Sequence, residues 1–248
     1  MKFSLKANAL SVLTLGFGGL ALAMRFWLSH SRDALGLLPA AHPAAIISYV
    51  LTGLFLVVLF LGVRPLQPVS SYRFLFPASP IRAVGCGLGA VAILYSAVIA
   101  VISGGFWGIV MLLLGLISAL CLANVGLSRW SGVTPNGWLQ MPPVVYLIIY
   151  VVSQVQHWSA TPQTSAFFFP LMGCIFLMLA AFYHANLNIR KQGRRWFVFT
   201  SQAAAFFCLG AVCEGDAIFF LCMAGWMVCD LCSCSNPRKR EAPREEQA

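Results

Sequence analysis

The stretch HANLNIRKQGRR, residues 184–195, carries Arg190, Lys191, Arg194 and Arg195 between two apolar runs, 167–188 and 196–213. A short basic segment between runs long enough to cross a bilayer resists translocation and stays on the cytoplasmic side. With that loop inside and sides alternating at every apolar run, the rest of the chain falls into the same pattern. Towards the N-terminus, Arg129, then Arg64, Arg73 and Arg82, then Lys2 and Lys6 fall inside; towards the C-terminus, so do Arg238, Lys239, Arg240 and Arg244. Fourteen of the sixteen Lys and Arg residues thus share one side, and only Arg25 and Arg32 lie on the other. Dropping one middle run would move every later loop across the membrane and destroy the bias.

The expected fold is therefore an all-α polytopic membrane helix bundle with eight transmembrane helices and both termini cytoplasmic. The spans fall at about 7–27, 44–63, 83–102, 106–127, 142–158, 167–188, 196–213 and 217–232. They form a single domain over 1–232, followed by a polar cytoplasmic tail, 233–248, expected to be disordered. Composition agrees: 60% of residues are hydrophobic and 9% charged, with mean hydropathy +0.83, whereas soluble domains carry about 25% charged residues. A span needs roughly 20 apolar residues, so eight leave only short loops. The net charge of +9 lies in those loops, so membrane orientation accounts for it and nucleic acid is not expected as a partner.

One alternative concerns the first run. Lys2 and Lys6, the apolar segment that follows and Ala21-Leu22-Ala23 resemble the parts of a cleaved signal peptide, which would leave seven spans. Apolar character continuing through Phe26-Trp27-Leu28 favours a span. Each group of four runs has a longer outer loop, a basic inner loop and a tight outer turn, Ser103-Gly104-Gly105 or Glu214-Gly215-Asp216. That order would suit a parallel duplication of four helices, although the halves share no convincing residue identity. The inner segment from Arg64 to Arg82, with Pro65, Pro68, Pro77 and Pro80 around aromatic residues, is expected on the cytoplasmic membrane surface.

No Asp or Glu falls in the middle of a run. Asp33, Glu214 and Asp216 lie in outer loops; Asp230, Glu241, Glu245 and Glu246 lie at the inner end of the last run or in the tail. Paired intramembrane carboxylates, a phosphate-binding glycine loop, H-E-x-x-H and G-x-S-x-G are all missing, which weakens ion-coupled transport and hydrolysis. No cofactor is implied. Gly85 and Gly89, with Gly115 and Ala119 in the next run, make four-residue small stripes that bring backbones close. They favour packing of the third run on the fourth and also offer a face to a membrane-protein partner or a second copy.

Three groups are candidate sites. His184, Asn188 and Lys191 form one helical stripe that, with Arg194 and Arg195, suits a ligand or lipid headgroup. His30, Asp33, His42, His157, Glu214 and Asp216 gather on the outer face, where imidazole and carboxylate suit a pH-sensitive switch or a metal. Cys229, Cys232 and Cys234 offer three thiols, one fewer than a closed zinc site needs. The leading expectation is a non-enzymatic component of the cell membrane: a sensor, scaffold or subunit in contact with the lipid bilayer. A permease or facilitator for a neutral or lipophilic solute comes next, then an interfacial lipid-acting enzyme using His184 or the outer histidines.

Overall fold

The computed structural model describes residues 2–31, 42–64, 66, 78–158, 167–190, 193–214 and 216–234, without the side chains of 2–9, 157, 158, 190 and 232–234. Its elements are α1 (Lys2–His30), α2 (Pro43–Val63), α3 (Pro80–Ile102), α4 (Phe106–Ser131), a 3-10 turn (Gly137–Gln140), α5 (Met141–Trp158), α6 (Phe168–Arg190), α7 (Arg194–Ala211) and α8 (Ala217–Cys234). The protein is an all-helical bundle of membrane type, with no strand among the described residues. Six helices, α1 to α6, are long and apolar enough to cross a bilayer; α8 adds a shorter apolar helix, Ala217–Leu231.

Local chemistry sets several boundaries. Pro43 and Pro80 open α2 and α3 at positions where the missing amide hydrogen costs nothing. His42 caps α2 by accepting from the Ala44 amide at 3.3 Å. The link between α3 and α4 turns through Gly104 and Gly105 at φ +84° and +94°, a region that side chains disfavour. Pro142 and Pro143 fall in the first turn of α5, where the sequence places them.

α7 occupies the centre, packing against α1, α2, α6 and α8. Fourteen of its eighteen residues are buried, although it is the least apolar of the eight and falls below the hydropathy that marks the six. Its Ala203-Ala204-Ala205 segment admits close neighbours, and Phe206 stacks on Phe55 of α2 at 4.3 Å between ring centres. The glycine stripes are used inside the chain. Gly85 and Gly89 of α3 face Cys229 and Trp226 of α8, while Gly115 of α4 faces Ala97 of α3 and Tyr146 of α5. Gly108 and Gly126 bring α4 onto α3 at its two ends. The expected α3–α4 contact is extensive, but Gly85 and Gly89 serve α8, because the Trp226 indole needs a surface without Cβ atoms.

Successive helices alternate in direction. Arg25, Tyr95, Phe169, Glu214 and Asp216 meet at one end, called here the acidic end. Arg82, Arg129, Asn188, Arg195 and Asp230 meet at the other, the basic end. α1 runs unbroken through Ala21-Leu22-Ala23, with Ala21 fully buried. Most of the proline-rich segment between α2 and α3, together with Arg32, Asp33, Lys191 and the tail, lies outside the described residues.

Candidate functional site

The most concentrated polar chemistry is a buried cluster at the basic end, assembled from four helices. Arg82 enters from the first turn of α3, Arg129 from the last turn of α4, His184 from α6 and Asp230 from α8. All four are at most 3% exposed. Charged groups at such positions are tolerated in membranes only when they meet polar partners. The Arg129 Nη2 group lies 2.8 Å from His184 Nε2. Since a guanidinium only donates, Nε2 accepts, which leaves the imidazole hydrogen on Nδ1. That nitrogen points at Asp230 Oδ2, 3.7 Å away, close enough for attraction but too long for a hydrogen bond. Arg82 Nη2 donates to the Asp230 carbonyl oxygen at 3.4 Å. The run Arg129–His184–Asp230 thus joins α4, α6 and α8, and Arg82 adds α3.

Beside it is a cavity of about 10 Å³ walled by Gln140, His184 and Trp226 among apolar groups. That is room for a single water. The His184 ring also leans on Phe197 of α7 at 5.2 Å, so the central helix helps fix its orientation.

The acidic end holds a second buried pair. Arg25 Nη1 donates to Glu214 Oε1 at 2.6 Å, with side-chain exposures of 1% and 3%. The same guanidinium lies 4.2 Å over the Phe169 ring and 5.7 Å from Tyr49, contacts that favour a flat cation. This accounts for Arg25 as an exception to the charge bias: it is an interior partner rather than a loop charge. Nearby, Tyr95 donates to Asp216 at 3.1 Å. At mid-depth, the buried Tyr146 hydroxyl meets Ser96 Oγ at 2.7 Å.

The residues singled out from the sequence are distributed as follows. His184 and Arg194 turn inward and are buried. Asn188 donates to the Pro135 carbonyl at 2.8 Å, and Arg195 donates through Nε to the Leu66 carbonyl at 2.6 Å. His30 is exposed, with Nδ1 3.0 Å from the Phe26 carbonyl. His42 caps α2 with its ring edge-on to Trp27, while Glu214 and Asp216 take the separate partners just described. Asp33, Lys191 and the side chains of His157, Cys232 and Cys234 lie outside the described residues. Cys229 packs against Gly85. Among the described residues no three His, Cys, Asp or Glu groups converge in a way that would hold a metal.

Arg25, Arg82, Arg129, Gln140 and Asp230 belong to these buried polar groups but were not among the candidate site residues read from the sequence. A signal was present. Arg82, Gly85 and Gly89 follow three- and four-residue steps, and Ala119, Leu122, Gly126 and Arg129 do the same, so each arginine shares the face of a small-residue stripe. A charge in phase with a close-packing face points into the bundle. Comparison with known proteins adds no further assignment: no family model matches, and no curated protein or solved structure is significantly similar.

Proposed function

We propose that this chain is a non-enzymatic, eight-span component of a larger assembly in the cell membrane, with both termini cytoplasmic. The observation that carries the reading is Asn124. It is exposed on the outward face of α4, among Leu113, Ile117, Leu120 and Leu127, each more than half exposed. The 26 residues of α4 measure about 39 Å at 1.5 Å per residue. Asn124 is about 8 Å from the helix middle on that rise, inside the roughly 15 Å half-thickness of the hydrocarbon. An amide facing lipid at that depth lacks water to bond, and such side chains bond across helices instead. Its neighbour Ala123 is also exposed, leaving room for a second backbone to approach.

The crossing of all eight helices is supported by their alternating direction. α7 and α8, at 18 residues each, reach about 27 Å, close to the hydrocarbon thickness. The packed middle of the bundle favours assembly over permeation: Ala203 to Phe207, with Cys174, Leu177 and Ala180, are all at most 1% exposed. An interfacial enzyme would use His184 or the outer histidines; the cavity beside His184, about 10 Å³, has room for one water and is too small for a lipid headgroup, which favours assembly.

The test is the particle size of the full chain extracted in a mild detergent, with and without Asn124→Leu. The expected result is a complex larger than one 26.9 kDa chain that Asn124→Leu dissociates while the thermal midpoint holds. A wild-type protein that runs as a single chain, or a complex indifferent to Asn124→Leu, overturns the proposal.

A further inference from the structure

Between the basic ends of α2 and α7 lies a cavity of about 240 Å³ lined by Phe60, Val63, Arg64, Arg195, Trp196 and Phe199. Two of its six lining residues are cationic and none is acidic. Arg64 closes the last turn of α2, its guanidinium 5.4 Å above the Phe60 ring. Arg195 is anchored by its Nε bond to the Leu66 carbonyl, which uses one of the five donors of a guanidinium. The remaining walls are apolar and largely aromatic. Phe60 meets the Phe199 ring edge-on at 6.5 Å, Trp196 meets it at 6.2 Å, and Tyr183 stacks behind Trp196. Phe60 and Trp196 are about half exposed, so the groove opens sideways, where hydrocarbon and headgroups surround the bundle.

A pair of arginines above an aromatic trough is amphipathic in the same direction as a phospholipid: anionic at the membrane surface, apolar below. Soluble anions have no use for the trough, and a zwitterionic lipid brings an ammonium to a site that already has two cations. The volume is smaller than the roughly 300 Å³ or more of a pocket enclosing a whole ligand, which suits a phosphate and the start of an acyl chain with the remainder left in the bilayer. The basic end is also the end that charge bias places against the anionic cytoplasmic leaflet. We propose that the α2–α7 groove binds an anionic phospholipid, with Arg64 and Arg195 on the phosphate and Phe60, Trp196 and Phe199 against its chain. The site stands whether or not the chain works within a larger assembly.

Native mass spectrometry of the full chain in detergent, titrated with dioctanoyl phosphatidylglycerol, phosphatidylcholine or inorganic phosphate, provides the test. Saturable phosphatidylglycerol adducts are expected, with weak phosphatidylcholine adducts and no displacement of lipid by millimolar phosphate. Each basic group near an anionic surface contributes about fivefold in affinity, so Arg64→Gln should weaken binding about fivefold and Arg64→Gln with Arg195→Gln about thirtyfold. Arg64 is exposed, so the single variant reads binding without disturbing the fold. Phe60→Ala, which spares both arginines, should weaken phosphatidylglycerol retention as well. Equal retention of the two lipids, full competition by phosphate, or an unchanged affinity in Arg64→Gln each overturns the proposal.

Discussion

Replacing Arg25 by Met in the buried pair at the acidic end should destabilise the protein more than any surface change. The Nη1–Oε1 distance of 2.6 Å and side-chain exposures of 1% and 3% place both charges away from bulk water. A unit-charge pair about 4 Å apart at an effective dielectric of about 20 is worth roughly 4 kcal/mol before desolvation. Removing one member of a buried pair costs about 3–5 kcal/mol, because the survivor keeps its desolvation penalty. At about 2–4 °C per kcal/mol for a chain of this size, Arg25→Met and Glu214→Gln should each lower the midpoint by about 6–20 °C. The double variant has no residual charge to bury and should fall less than the sum of the singles. Arg25→Lys keeps the charge but loses the flat face lying 4.2 Å over Phe169, so it should be intermediate. The assay is thermal unfolding in dodecyl maltoside at pH 7, followed by fluorescence of the seven tryptophans. Single variants within about 2 °C of wild type, a range set by the same conversion, refute the reasoning, as does a double variant equal to the sum.

Two further outcomes follow from the helix packing. A Cβ on Gly85 would stand 2.6 Å from the Cys229 Cβ, whereas one on Gly87 of the same helix meets nothing within 4 Å; Gly85→Leu should therefore cost at least about 1–3 kcal/mol in the same melt, and Gly87→Leu almost nothing. Ser103→Cys, just before α4, and Ser131→Cys, at its last residue, both exposed, should be labelled by a membrane-impermeant maleimide from opposite sides of intact cells or vesicles; labelling from the same side rules out the topology.

The helices and their order were legible because each depends on a local signal: apolar length, flanking proline, a glycine turn or a basic loop. Their partnerships were not. Arg25 reads in sequence as a charge near the outer end of the first run, on the side opposite most basic residues, and only the return of the chain 189 positions later brings Glu214 to it. Asp230 similarly reads as an acid at the inner end of the last run, until α3, α4 and α6 bring Arg82, Arg129 and His184 around it. Of the stripe His184, Asn188 and Lys191, helical spacing correctly places the described members on α6, but spacing says nothing about depth. His184 is 3% exposed because α7 covers it with Phe197. α7 shows the largest gap between local signal and position. Its apolar run is short and interrupted by Thr200, Ser201 and Gln202, features that suggest a peripheral helix when hydropathy is taken alone, yet Gln202 is 1% exposed and its Nε2 donates to Ser11 of α1 at 3.1 Å.

The polar content of that central helix bears on how the protein is made. A segment carrying Arg194, Arg195, Thr200, Ser201 and Gln202 partitions poorly into lipid on its own, since the insertion machinery penalises charged and amide groups. α1 and α6, which receive it, are synthesised earlier and have the hydropathy to enter unaided. In the finished bundle α7 meets Ser11 of α1 and a row of aromatic rings, and α8 packs on it as well. Because α8 supplies part of the surface that buries α7, the burial of the central helix is incomplete until residues 217–234 have joined the bundle.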